Sequence, residues 1–122
     1  TMELDADKGF FTGETNSFFN NSNKIDLNLE LFKYDALVFS KLKSNQITLK
    51  SDKNNKEVIM DFTGFPYLAL WTKPDGCPFI CIEPWYGHAD YADFKGELKD
   101  KAGIEKLSIN AEFNAEYKLF IK

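Results

Sequence analysis

The chain has 122 residues, 43% hydrophobic and 16% aromatic, which is enough for one domain with one core and too little for two. Its net charge is −4, and all 15 basic residues are Lys; the lack of Arg argues against nucleic acid as a partner, since Arg makes the bidentate contacts to guanine and phosphate, and it removes the usual clamp for a phosphorylated substrate. No apolar run approaches the ~18 residues that mark a membrane-spanning helix, so no membrane partner is expected.

The opening Thr1-Met2-Glu3-Leu4-Asp5-Ala6-Asp7 is acidic and lacks the apolar segment of a signal peptide; Met in second place points to a missing upstream portion. Residues 1–25 read as irregular, with 9–13 a short strand or turn and 16–24 a polar loop. Asn20-Asn21-Ser22 has the form of a glycosylation sequon, given no weight without a secretory signal. From Ile25 the pattern changes. Ile25, Leu27, Leu29 and Leu31 alternate with Asp26, Asn28 and Glu30, which predicts a half-buried strand over 25–31. In 34–39 a carboxylate, Asp35, leads a short apolar run. Residues 46–50 and 57–63 are strands across a polar turn at 51–56, and Gly64-Phe65-Pro66 ends the second. A hairpin follows: strand 67–72, a turn at Pro74-Asp75-Gly76, and a strand Phe79-Ile80-Cys81-Ile82 buried on both faces, with Glu83 at its end. Residues 91–101 read as a loop with a helical turn, 102–104 as a turn, and 108–113 and 115–121 as antiparallel neighbours across Asn114. Seven or eight short strands with hardly any helix predict an all-β antiparallel sandwich in a single domain.

Glu83 stands after four apolar residues and before Pro84, Trp85 and Tyr86, a setting away from bulk water. Partial burial tunes a carboxylate toward use as a general base near neutral pH; most strand-end Glu residues are instead solvated or paired with a Lys or a turn amide. Cys77 and Cys81 lie four apart in one expected strand, ~13 Å from each other, too far for a disulfide. With one His and no third Cys they make a poor metal pair. Two reduced core thiols are expected, which fits a reducing, cytoplasmic compartment.

The run Phe79-Ile80-Cys81-Ile82-Glu83-Pro84-Trp85-Tyr86-Gly87-His88-Ala89-Asp90 resembles the galactose mutarotase-like (aldose 1-epimerase) superfamily, and within it a LacX-like branch whose strand ends in C-[IV]-E-P-W-x-G-x-x-D. Leu31-Phe32, Asp35-Ala36-Leu37-Val38-Phe39, Leu42-Lys43-Ser44 and Ile47-Thr48-Leu49 look like the preceding segment of that branch. Lys101-Ala102-Gly103-Ile104 with Leu107 looks like its closing segment, so the resemblance covers most of 25–121. It implies the C-terminal part of a β-supersandwich, with the N-terminal part absent from 1–122, and an enzyme that interconverts the α and β anomers of a hexose.

In that chemistry a base takes the proton of the anomeric hydroxyl while an acid protonates the ring oxygen, and the position matching the family's base is Glu83. The family's acid is a His on an earlier strand, outside the matched part. His88 fills a variable x of the signature and is read as a loop or surface residue. Asp35 resembles the family's sugar-binding carboxylate, able to accept two hydroxyls; the alternative is an ordinary turn Asp. Trp85 and Tyr86 either wall the sugar or pack beneath Glu83. Asp90 is expected to fix its loop by an Asx-type hydrogen bond. No metal or organic cofactor is implied, because two side chains suffice for the proton transfers. Two readings compete with the enzyme: a carbohydrate-binding module without turnover and a half-domain whose apolar face needs a partner. Within the enzyme class the runner-up is a hexose-6-phosphate epimerase, which the lack of Arg disfavours.

Overall fold

Eight strands form among the residues described by the computed structural model, 1–20 and 22–122: β1 (Met2–Asp5), β2 (Phe10–Thr15), β3 (Leu37–Ser40), β4 (Gln46–Lys50), β5 (Glu57–Asp61), β6 (Tyr67–Trp71), β7 (Cys81–Trp85) and β8 (Lys118–Ile121). They make two antiparallel sheets of a β-sandwich, one in the order β2-β1-β3-β6-β7 and one in the order β4-β5-β8. Helix is limited to single 3-10 turns at Leu29–Phe32 and Leu98–Asp100. No helix among the described residues is long and apolar enough to cross a membrane. Asn21, the middle of the sequon, lies outside the described residues.

The β4–β5 hairpin follows directly from alternation. Ile47↔Met60 and Leu49↔Val58 pair on one face, and Gln46↔Asp61 and Thr48↔Ile59 on the other. The Lys50–Glu57 ion pair, at 2.6 Å, closes its turn end. At the far end Asp61 accepts hydrogen bonds from the Thr63 hydroxyl (2.7 Å), the Thr63 N–H (3.0 Å) and the Gln46 amide (3.1 Å). These donors, the Thr63 hydroxyl and then Gln46 first, hold the Asp61 carboxyl down from 3.8 to about 2. A pKa depressed in the folded state means stability that is present above the unfolded value and lost as pH falls through the folded one. Asp61→Asn is therefore expected to flatten the fall in stability between pH 3.8 and about 2. Urea midpoints taken at steps across that window measure it, and identical slopes for both proteins would discard the linkage.

The five-stranded sheet buries both faces. Val38 pairs with Ala69, and Ala69 with Glu83; Leu37 pairs with Leu70, and Leu70 with Ile82. Because successive side chains alternate, Val38, Ala69 and Glu83 share one face while Leu37, Leu70 and Ile82 share the other. The second face packs Phe32, Phe39 and Leu70 with Phe18 and Phe19 from the segment after β2 and with Ile47 of the smaller sheet. The first face packs Met2, Phe11, Val38 and Ala69 with Trp85, Ala89 and Tyr91 around them. β7 is the last strand of its sheet and carries Pro84 opposite Leu68.

Four sequence expectations are corrected. Residues 1–25 are not irregular throughout, because Met2 and Leu4 pack inward from β1 between acidic neighbours and Phe11 packs inward from β2. Residues 25–31 form no strand: Ile25 and Leu31 reach the core from an extended segment and a 3-10 turn, while Leu27 and Leu29 stay exposed. Residues 108–113 form no strand either, with Ile109 94% exposed, and β8 pairs with β5 instead. The strand expected from Phe79 begins at Cys81 and runs through Trp85, so Glu83 is its central residue, and none of its residues is fully buried.

Candidate functional site

Cys81, Glu83 and Trp85 alternate onto one face of β7, facing Trp71, Ala69 and Tyr67 across the ladder. The middle pair sets a methyl group against a carboxylate, which leaves a hollow between larger neighbours. A cavity of about 380 Å³ opens there. Ala36 and Ala89 line it with small side chains, Trp71 and Trp85 add the two indoles, and Phe11 and Gly9 contribute from β2 and the turn before it. Asp35, Glu83 and Trp85 all line this cavity. A second hollow of about 300 Å³, between Lys41, Asn45, Phe62 and Phe65, contains none of the three.

Glu83 is half-buried. Its Oε2 accepts a hydrogen bond of 3.1 Å from the Trp85 indole Nε1–H, two residues along the same strand face. Trp85 therefore orients the carboxylate, and its ring packs against the Phe11 core. On the other side stands Cys81. Burial first, and then the Glu83 carboxylate, push its thiol up from the ordinary value, so it stays a protonated donor beside an acceptor. Cys77 and Cys81 are both free and half-buried rather than core residues.

Asp35 sits just before β3 with φ +86, a left-handed conformation rare for a residue with a side chain. Its N–H donates to the Phe32 carbonyl (3.1 Å), and its Oδ1 accepts from the Ala36 N–H (2.8 Å). One carboxylate oxygen thus fixes the turn, and the other makes no hydrogen bond to the described residues. Neither Asp35 nor Glu83 joins an ion pair among the described residues.

His88 is a correction. It is 8% exposed rather than a surface residue. The rings of Phe11, Tyr67 and Tyr91 surround it edge-on at 5.3, 5.0 and 5.4 Å. Its Nδ1 donates to the Ala89 carbonyl at 2.6 Å, which assigns the Nδ1–H tautomer. Gly103, at φ +73, passes so close that a Cβ there would lie 3.0 Å from the His88 ring. His88 is absent from the cavity lining and braces Phe11 and Ala89 from behind.

Asp90 makes no Asx turn. Its side chain pairs with Lys101 at 2.8 Å, and its carbonyl accepts the Phe11 N–H at 2.8 Å. Tyr86 does not wall the cavity, since its ring packs on Phe65 (4.6 Å) and Phe113 (4.9 Å). No group of three or more His, Cys, Asp or Glu able to hold a metal occurs among the described residues.

Trp71 and Phe11 are the aromatic lining residues that the sequence did not single out, and Leu4 and Gly9 join them. The signal for Trp71 is the hairpin register, which sets it opposite Cys81. The site as built offers two carboxylate acceptors between flat apolar walls, suited to a ligand that carries hydroxyls on its rim and C–H groups on its face.

No family model matches the chain. The plasmid and chromosomal forms of Protein LacX from Lactococcus lactis subsp. lactis are each 38% identical to it over 90 residues, 74% of this chain and 30% of theirs. The X-ray structure of a galactose mutarotase related enzyme from Lactobacillus acidophilus superposes with a TM-score of 0.74 at 35% identity, over 80% of this chain and 33% of that one. The chain spans about a third of the length of these proteins.

Proposed function

From a chain homologous to the LacX proteins and to a galactose mutarotase-related enzyme, we propose a mutarotase-type site for a hexose in which Glu83 is the base. Glu83 takes the proton of the anomeric hydroxyl. The O–H electrons form the C1=O bond, the bond from C1 to the ring oxygen breaks, and that oxygen takes a proton from an acid. Rotation about C1–C2 and reversal of these steps give the other anomer. Asp35 accepts sugar hydroxyls through its free oxygen. Trp85 holds Glu83 at the reacting end.

The observation that carries the proposal is the convergence of Glu83, Asp35 and Trp85 on one cavity whose only ionisable lining groups among the described residues are the two carboxylates. The lining supplies a base and a hydroxyl acceptor but no histidine, so the acid is assigned to another part of a longer polypeptide. Residues 1–122 are then the C-terminal part of the domain. Free Cys77 and Cys81 fit a reducing, cytoplasmic setting. A cavity without a cationic side chain favours an unphosphorylated sugar.

The test is the change in optical rotation of freshly dissolved α-D-galactose and α-D-glucose. It is followed with this chain alone and with this chain joined behind the remaining two-thirds of a LacX polypeptide. A rate above the uncatalysed one in the joined protein supports the enzyme. Sugar binding with no rate in either form replaces it with a non-catalytic carbohydrate-binding module, and neither binding nor rate removes both.

A further inference from the structure

We propose that Trp71 is the surface on which the pyranose ring stacks, a role separate from that of Trp85; this deepens, and rests on, the sugar-site reading of the cavity. The two indoles border the same cavity but are held differently. Trp85 spends its Nε1–H on Glu83 and packs its ring against the buried Met2, Phe11, Val38 and Ala69. It is a positioning residue for the carboxylate.

Trp71 ends β6 and is half-buried. The residue after it, Thr72, is buried, and its hydroxyl donates to the Phe79 carbonyl at 2.7 Å. That bond ties off the loop between β6 and β7 and sets the Phe79 ring 6.0 Å from the Trp71 ring at 45°. The loop's own turn is fixed by the Gly76 N–H to Lys73 carbonyl bond (3.0 Å), with Gly76 at φ +93, where glycine is free of strain. Phe79 therefore braces the indole, which lines the cavity with its orientation already set.

A pyranose needs such a partner. Its ring hydroxyls lie mostly around the rim, leaving C–H groups on a face that loses water when laid on an aromatic surface. Register places Trp71 opposite Cys81, and Glu83 lies two residues further along the same face of β7, ~7 Å away along the strand. A ring seated on Trp71 can therefore offer its anomeric end to Glu83 while its hydroxyls reach toward Asp35. Bracing the indole in advance reduces the ordering cost of binding, which is how preorganisation raises affinity.

The chain contains two Trp residues, so their fluorescence separates the two roles. Galactose and glucose are titrated into the 122-residue protein by calorimetry and by Trp emission. Trp71→Leu is expected to weaken binding by about tenfold or more with an unchanged urea midpoint. Trp71→Phe, which keeps a smaller flat ring, recovers part of that loss and removes most of the emission change on sugar addition, leaving only the response of Trp85. Trp85→Phe keeps the emission change. Wild-type affinity in Trp71→Leu, or a sugar-dependent emission change as large in Trp71→Phe as in the wild type, overturns the stacking role while leaving the sugar site standing. No calorimetric binding by the wild-type protein, either alone or joined behind the remaining two-thirds of a LacX polypeptide, overturns the sugar reading and this inference together. Should Trp71→Leu fail to fold, the emission response of Trp71→Phe decides alone.

Discussion

Glu83→Gln is expected to slow mutarotation by about 10²–10⁴-fold while sugar affinity changes by less than about threefold. The amide keeps the shape of the carboxylate, and its oxygen can still accept the Trp85 indole N–H. What it cannot do is hold the anomeric proton. Stability should not move, because Glu83 faces only the methyl of Ala69 across the ladder and is half-buried. Trp85→Phe is the companion variant. It keeps an aromatic ring and removes one hydrogen bond to a charged group, worth about 1.5–3 kcal/mol, so the rate should fall by about tenfold or more. Both rates are read by polarimetry on the joined protein described above. A Glu83→Gln protein with the wild-type rate would move the base elsewhere, and Asp35, the other carboxylate of the cavity, would be examined next.

Phe11→Ala is expected to cost about 3–5 kcal/mol, the range for deleting a fully buried Phe side chain. A domain holds only ~5–15 kcal/mol in total, so this single change brings the protein close to unfolding. Phe11 is 1% exposed and packs on the rings of His88 and Tyr91. Its backbone is also engaged: its N–H donates to Asp90 at 2.8 Å and its carbonyl accepts from Ala92 at 2.9 Å, forming a parallel bridge opposite Tyr91. Those bonds survive the substitution, so the loss belongs to the ring. Urea unfolding followed by tyrosine and tryptophan emission measures it, with Phe11→Leu as a milder control that loses less than about 1.5 kcal/mol if the site repacks. A loss below about 1 kcal/mol for the Ala variant would mean that β2 is not part of the core.

How much could be read from the residues alone follows from how local the determining contacts are. The β4–β5 hairpin was legible because five alternating pairs and their polar turn lie in one short stretch. Residues 25–31 alternate equally well, yet no neighbouring backbone ladder receives them, and alternation without a partner gives only an extended segment. β1 is missed, and β2 is read only as a short strand or turn at 9–13, for the converse reason. Their apolar residues are few and set among acids, and what secures them is pairing with β3 and with the Tyr91 segment, both distant in sequence.

Within the site, the Cys81, Glu83 and Trp85 face could be foreseen from a period of two. Trp71 could not, since the register across the loop between β6 and β7 decides it. The burial of His88 depends on Phe11, Tyr67, Tyr91 and the bare backbone of Gly103, a convergence that no local pattern announces.

Pro84 is the fourth of the five residues of β7, and β7 pairs with β6 without interruption from Cys81 to Trp85. A proline nitrogen cannot donate to that ladder, so it must be turned toward the unpaired side. A strand from a second molecule arriving there would find a donor missing within its docking site. Unpaired strands are where sheets add neighbours and grow into aggregates. One residue beyond Glu83, the proline therefore blocks open-ended growth while leaving the approach to the carboxylate uncovered.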